Sequence, residues 1–311
     1  ISGEGRTIYF EKKNIVGNKL EQKKILNNIK IILDQNNLKL IGIRDLFIED
    51  KKIYISLIFK NLKGFSINAY RADLNFEKLN FELFFESKTY WNNYNVFSGG
   101  RFSKYKNNKI LFTIGYSNIK GASQDINSLL GKIISIDKST KEYEIISMGH
   151  RNSQGLVYIN DSDIIINTEH GPKGGDEINI NFQNMNQTPN FGWDISSYGI
   201  EYNGTDPYKK SHAEYGFIEP FKYYVPSIGI SQLIYMPNEF NSDNSKYLFV
   251  SSLRATSIYV IKINKDFNKI LDEDKIYFSQ RRIRDIEYDQ ENDLFFLIFE
   301  YMPSIGILRM N

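Results

Sequence analysis

Short apolar runs of Ile, Leu, Val, Phe and Tyr recur along the chain, cut by Asn, Asp, Lys and Gly. This pattern reads as strands joined by turns. Helical periodicity is scarce. The one stretch that could pass for a helix, EQKKILNNIKIILDQ (21–35), sits among β-rich neighbours that argue against it.

The strands repeat. Residues 45–59, 102–116, 156–170, 233–253 and 285–300 each read as an apolar strand, a polar turn and a second, more apolar strand. Residues 3–13 (GEGRTIYFEKK) look like the latter half of a sixth copy, and further strands such as 131–138 and 143–149 lie between copies. A four-stranded unit repeated at about fifty residues is the mark of propeller blades, since each blade buries its faces only against its neighbours. The expectation is therefore all-β: a six-bladed β-propeller with four-stranded antiparallel blades, one domain over 1–311, with an irregular insertion at about 182–225. The competing reading is a β-sandwich whose strands resemble one another by chance.

Composition narrows the function. The net charge is +2 with no long block of one sign, unlike a nucleic-acid binder. KKNIVGNKLEQKK (12–24) is the nearest thing to a basic patch and reads as a solvated face. There is no cysteine, which excludes disulfides, zinc–thiolate sites and thiol catalysis. No apolar run is long enough to span a membrane as a helix. The chain begins at Ile1 rather than Met, as expected of a processed or trimmed N-terminus.

Candidate chemistry centres on TEHGPKGGDEI (168–178), where the chain leaves the apolar run 164–166 and enters a turn dense in Gly, Pro and charge. Gly permits close backbone approach and Pro fixes the turn, as suits a loop laid against a ligand. The alternative is a tight turn with local salt bridges. The stretches 113–124 and 251–257 also follow second strands, so all three loops would open on one face of a propeller.

GHRNSQGL (149–156), TEHGPKGGDEIN (168–179), NFGW (190–193), VPSIG (225–229) and RRIRD (281–285) occur in that order. In these motifs the chain resembles the soluble sugar dehydrogenases that depend on pyrroloquinoline quinone (PQQ), the glucose/sorbosone dehydrogenase family, from about residue 3 to 309. The resemblance implies a six-bladed propeller, a sugar or quinone ligand and a periplasmic or secreted location. It implies that backbone carbonyls of Gly171 and Pro172 hold a Ca2+ ion that also binds the cofactor; calcium takes carbonyl ligands readily. Arg151 and Asn152 fall where the family contacts the quinone oxygens. Arg282 and Arg284 match the pair that holds the cofactor's carboxylates and ring, and Arg254 stands where some members carry Lys. Paired arginines suit a polycarboxylate. Ordinary strand salt bridges are the competing account of these arginines. Asp176 and Glu177 would orient the loop or compensate positive charge. Glu219 would match a second, structural Ca2+ site. Gln154 and Trp193 read as structural, and His150 is not the family's base.

The pattern fails at the catalytic base. The family has a His in a His-x-Gly-Gly-Arg motif, and here FSGGRF (97–102) places Phe97 at that position. The Asp that orients the His is replaced by Tyr116, and Leu40 replaces a Gln that contacts the cofactor. PSIGISQL (226–233) lacks a Gly of the family's version. Phe cannot accept a proton. The remaining histidines, His170 and His212, are the candidates for rescue. Three functions follow from these readings: a PQQ-dependent oxidoreductase with sugar oxidation impaired or lost, a non-catalytic propeller that binds a small molecule or a protein, and a metal-dependent lactonase-like hydrolase.

Overall fold

The structure, a computed structural model, describes residues 7–9, 15–16, 19–20, 22–92, 97–183, 186–236, 245–301 and 304–309. The chain opens with β1 (Thr7–Tyr9), the hairpin β2 (Ile15–Val16) and β3 (Lys19–Leu20), then β4 (Lys23–Asn27) and α1 (Ile29–Gln35). Strands β5 (Lys39–Glu49), β6 (Lys52–Asn61), β7 (Gly64–Asp73) and β9 (Glu82–Glu86) form one antiparallel sheet. The short β8 (Lys78–Leu79) pairs parallel with β4. Next come β10 (Gly99–Tyr105), β11 (Lys109–Ile114), β12 (Lys132–Asp137) and β13 (Tyr143–Met148). The sheet after them holds β14 (Ser153–Ile159), β15 (Ile164–Glu169), β16 (Asp176–Phe182) and β17 (Lys222–Tyr224). Strands β18 (Ile230–Tyr235), β19 (Lys246–Ser252), β20 (Ser257–Ile263) and β21 (Ile270–Tyr277) follow, and β22 (Arg282–Asp289), β23 (Leu294–Glu300) and β24 (Ser304–Arg309) close the chain.

These sheets are the blades of a six-bladed β-propeller. Four have four strands in sequence order, and among the described residues β22–β24 and β1–β4–β8 show three each. Each of the five strand–turn–strand repeats is an antiparallel pair: β5–β6, β10–β11, β14–β15, β18–β19 and β22–β23. Of the proposed sixth copy only β1 is described, paired with β4; the rest of 3–13 lies outside the described residues.

The core lies between blades, because strands apolar on both faces must be covered twice. Tyr54, Ile58 and Phe84 of the β5–β9 sheet pack with Phe102, Phe112 and Ile134 of the next. Ile164, Ile166 and Ile178 pack with Leu233, Leu248 and Val250, and Phe249 stacks on Phe295 at 5.2 Å. On its other face the β5–β9 sheet is covered by the N-terminal segment, where Ile25, Ile29 and Leu33 meet Ile53 and Leu57. The segment 21–35 thus divides into a strand and a helix. Burial of Ile29 and Leu33, four residues apart on one face, holds α1 against neighbours that favour strand.

Candidate functional site

Inner strands of successive blades enter the channel through β-bulges. Register shifts fall at Gly99/Phe102, Ser153/Gly155, Ile230/Leu233 and Ile283/Asp285, and twice in β5. A bulge leaves one residue out of the ladder and re-aims its side chain. Arg101, Gln154 and Arg284 sit at such points. Hydroxyls from one blade fasten the bulged backbone of the next: Ser56 Oγ donates to Gly100 O at 2.6 Å, Thr168 Oγ1 to Ser231 O, and Ser231 Oγ to Arg284 O.

Arg101 of the FSGGRF motif lies in the middle of this arrangement. Its guanidinium reaches Asp45 of β5 at 3.2 Å and Asp285 of β22 at 2.9 Å, so one side chain joins three blades. Against the cost of burial, Asp285 and Asp45 hold the guanidinium firmly charged.

The loop between β15 and β16 carries HGPKGG. It joins the second and third strands of one blade, as do 115–131 and 253–256 in theirs, so the three loops share one mouth. Gly171 N–H donates to Asp176 Oδ1 at 3.1 Å, and Asp176 Oδ2 accepts from Ile230 N–H at 2.9 Å. Asp176 therefore orients the loop and ties it to the next blade. Lys173 pairs with Ile200, and Gly175 N–H donates to Tyr224 O. A Cβ on Gly171 would collide with the Gly175 carbonyl, so only Gly fits there. These bonds leave the Gly171 and Pro172 carbonyl oxygens out of the loop's own pairing.

Glu169 organises the base of the site. It accepts from Arg151 N–H at 2.7 Å, from Ser153 Oγ at 3.2 Å and pairs with His150 Nδ1 at 2.9 Å. His150, its Nε2 on Ser147, is a buried structural histidine. Glu177 faces Glu169 across the ladder, and burial together with that neighbour pushes its carboxyl well above the usual range. Neither glutamate had been singled out for these partners; their separation in sequence hides the pairing.

Arg151 and Asn152 meet His170, and Gln154 links Arg284 to Asn152. Arg151 Nη1 donates to His170 O at 3.0 Å, and His170 N–H donates to Asn152 O at 3.1 Å. Asn152 Oδ1 accepts from Gly99 N–H at 3.2 Å and from Gln154, whose Oε1 accepts from Arg284 Nη1 at 3.2 Å. Gln154 is a link in the site rather than packing alone. Arg282 Nε and Arg284 Nη2 share Glu300 at 2.8 and 2.5 Å. Arg254 stands apart on the rim, with Nη1 3.4 Å from Ser227 O. His170 Nε2 donates to Ile230 O at 2.5 Å, and burial keeps the ring neutral. His212 is buried, donates from Nδ1 to Phe191 O at 2.9 Å and turns Nε2 toward Glu177 Oε1 at 3.6 Å. Glu219 accepts from Tyr198 and from Ala213 N–H, within the irregular segment. Leu40 packs into the N-terminal cluster.

Phe97 and Tyr116 meet. Their rings are stacked at 5.7 Å, and Tyr116 is edge-on to Trp193 at 5.2 Å. The Arg151 guanidinium lies over all three, 4.2 Å from Phe97, 5.1 Å from Trp193 and 5.8 Å from Tyr116. Trp193, a structural residue by its motif, is a wall of this cage. Tyr116 OH donates to Asn118 Oδ1 at 2.6 Å, and burial pushes its pKa up. The backbone is held as well: Tyr116 N–H donates to Arg151 O and Ser117 N–H to Phe97 O.

Comparison with known proteins places this geometry in context. The sequence model of the family described as "Glucose / Sorbosone dehydrogenase" matches residues 14–301. Aldose sugar dehydrogenase YliI of Escherichia coli (strain K12) is 29% identical over 221 residues, covering 65% of this chain and 57% of that protein. The match thus spans little more than half of that relative's length. The apo crystal structure of the soluble aldose sugar dehydrogenase from Escherichia coli superposes with a TM-score of 0.74 at 24% identity, covering 86% of this chain and 83% of the other. The PQQ-bound aldose sugar dehydrogenase from Streptomyces coelicolor gives 0.64 at 17% identity, covering 98% and 90%. These likenesses establish a shared fold.

Proposed function

The chain belongs to the glucose/sorbosone dehydrogenase family, and we propose that it is a member that keeps a quinone site while its sugar oxidation is impaired or lost. The observation that carries the reading is the Phe97 ring at the position of the family's base, stacked on Tyr116 and covered by Arg151.

The residues fit the cofactor. Arg151 Nε is buried without a hydrogen-bond partner, an orphaned donor where a quinone oxygen would lie. Arg282 and Arg284 present a paired cationic edge suited to carboxylates. Arg254 adds charge at the rim, and the Gly171 and Pro172 carbonyls supply hard oxygens for Ca2+. A second Ca2+ at Glu219 has less support: among the described residues no group of three or more His, Cys, Asp or Glu is placed to hold a metal. When bound, PQQ supplies the two-electron acceptor for hydride leaving an alcohol carbon.

Oxidation of a sugar hydroxyl also needs a proton acceptor beside it, a contribution of about 10²–10⁴-fold. Phe97 has no acceptor atom. Tyr116 spends its proton on Asn118 and is held neutral by burial. His170 donates its Nε2–H to Ile230 O, and burial, with Arg151 nearby, lowers the basicity of the ring. Arg151 and Asn152 still place donors where charge on an oxygen develops. A periplasmic or secreted location rests on family membership; no described helix is long and apolar enough to cross a membrane.

Titration of the calcium-loaded full chain with PQQ, followed by calorimetry and absorbance, tests the reading. Saturable binding at micromolar concentration or below is expected. No binding sinks it and favours the alternative that Phe97 and Tyr116 motivate, a non-catalytic binding propeller. A lactonase-like hydrolase would need side-chain carboxylates free to surround a central ion, and those of the bulged strands, Asp45 and Asp285, are paired with Arg101.

A further inference from the structure

The two mouths of the propeller differ in charge. Loops that join second to third strands, and fourth to first, open on the mouth that carries the site. Outside the site itself they bring Lys63, Lys88, Lys120, Lys173, Arg254 and Arg281, against a single acid, Asp125. Among the described residues none of these six cations pairs with a carboxylate. At the opposite mouth the signs are mixed and paired: Lys52 with Asp73 at 2.6 Å, Lys106 with Asp163 at 3.4 Å and Lys138 with Asp50 at 2.7 Å. The irregular segment also lies on the site mouth, where Gln124 holds Trp193 O and Lys173 pairs with Ile200. Glu214 is exposed there, but other acids of the segment are taken up within it: Asp206 pairs with Lys210, Glu201 accepts from Tyr208 and Glu219 from Tyr198.

Large apolar side chains project from the same mouth. Leu62 is fully exposed, Tyr301 is 79% and Val225 60% exposed, and Ile119, Ile126 and Tyr277 stand out as well. They are spread around the rim: Leu62 follows β6, Ile119 and Ile126 follow β11, Val225 follows β17, Tyr277 closes β21 and Tyr301 follows β23. Two of these tips have a cation as the next residue, Lys63 beside Leu62 and Lys120 beside Ile119.

This arrangement selects among partners. A protein partner covers one contiguous patch of about 800 Å2 and needs an apolar centre within it. Here the apolar tips belong to five blades and ring the mouth, so a flat surface meets them together and a compact patch does not. Tyrosine and aliphatic tips suit the headgroup region of a bilayer, and unpaired lysines suit anionic headgroups. We propose that this mouth docks on an anionic lipid bilayer, with Leu62, Ile119 and Val225 among the headgroups and Lys63, Lys120 and Lys173 on the lipid phosphates. The glycine loop 170–175 lies in the same face, so the site opens toward the lipid.

Flotation of the full chain with vesicles of phosphatidylcholine, alone or with about one-third phosphatidylglycerol, tests this. Binding to the anionic vesicles is expected, weakening at least tenfold between low salt and about 0.5 M salt. Affinity should fall at least tenfold in Lys63→Ala/Lys120→Ala, since each cation near the surface contributes about fivefold. It should fall at least fivefold in Leu62→Asp and stay unchanged in Lys265→Ala, on the opposite mouth. Circular dichroism checks that each variant is folded. No flotation with anionic vesicles overturns the proposal, as does binding that both mouth variants keep or that Lys265→Ala loses. Binding to soluble polyglutamate as tight as to the vesicles, and kept in Leu62→Asp, also overturns it and points to an acidic protein as the partner.

Discussion

The Arg151 guanidinium lies 4.2 Å from the centre of the Phe97 ring. A cation over an aromatic face gains about 0.5–2 kcal/mol, more as it is desolvated. On the proposed reading, the pair stabilises the place where the family's base and its orienting acid would stand. A histidine at position 97 would bring an ionisable ring against this guanidinium. An apolar ring there accepts the arginine, and Tyr116 and Trp193 complete the enclosure.

Glu300 competes with any polycarboxylate for Arg282 and Arg284. Glu300→Gln removes that competing charge. The expected result is PQQ binding tightened roughly three- to tenfold, with a steeper dependence on salt, read by calorimetry at two ionic strengths. Weaker binding would mean that Glu300 positions the arginines rather than competes for them.

Glu177 titrates with folding. Its folded-state value is raised above the ordinary 4.5 by burial and by Glu169. The native protein therefore holds more protons than the unfolded chain as pH climbs above 4.5, so this group costs stability in that window. In calcium-free protein, Glu177→Gln should match the parent near pH 4 and melt higher at pH 8. Parallel melting curves across that range would contradict the assignment.

Arg101→Met leaves Asp45 and Asp285 facing one another without a cation. Removing one partner of a buried ion pair costs about 3–5 kcal/mol. Urea unfolding should show a loss of that size, together with loosened contact between the first and last inner strands. A loss under 1 kcal/mol would mean that water replaces the guanidinium.

Lys132 is fully buried, its Nζ donating to the carbonyls of Ala122, Ser123 and Leu130 at 2.9–3.0 Å. Burial pushes its pKa down to about 8. A value lowered below the unfolded one, about 10.4, means that the buried charge subtracts from stability below pH 8. That cost fades as pH rises from about 8 to 10. The stability of the parent relative to Lys132→Met should therefore rise across this range, measured by thermal melts. A flat difference would contradict it.

The fold was legible because each repeat brings its own hydrogen-bonded partner within about twenty residues. Local pattern was enough to place β5–β6 through β22–β23. Helix α1 was not legible: seven residues carry too little periodicity, and contact with Ile53 and Leu57 decides its conformation. In the site, Phe97 and Tyr116 could be read from motifs of fixed spacing. The partners of Arg101 could not, since they come from strands 56 and 184 residues away. Glu300 escaped for a similar reason, being placed beside Arg282 by the register of β22 against β23. The NFGW motif marks Trp193 as structural; the cage shows its ring against Arg151.

The central claim is that this site keeps its cofactor residues and lacks its base. Sugar-dependent dye reduction by the PQQ- and calcium-loaded protein, beside a Phe97→His/Tyr116→Asp double variant, tests it most directly. The account predicts a parent rate near the blank and a rise of about 10²-fold or more in the variant. A parent that turns over sugar briskly, with no gain in the variant, would contradict it and would place the proton acceptor on another residue of the site.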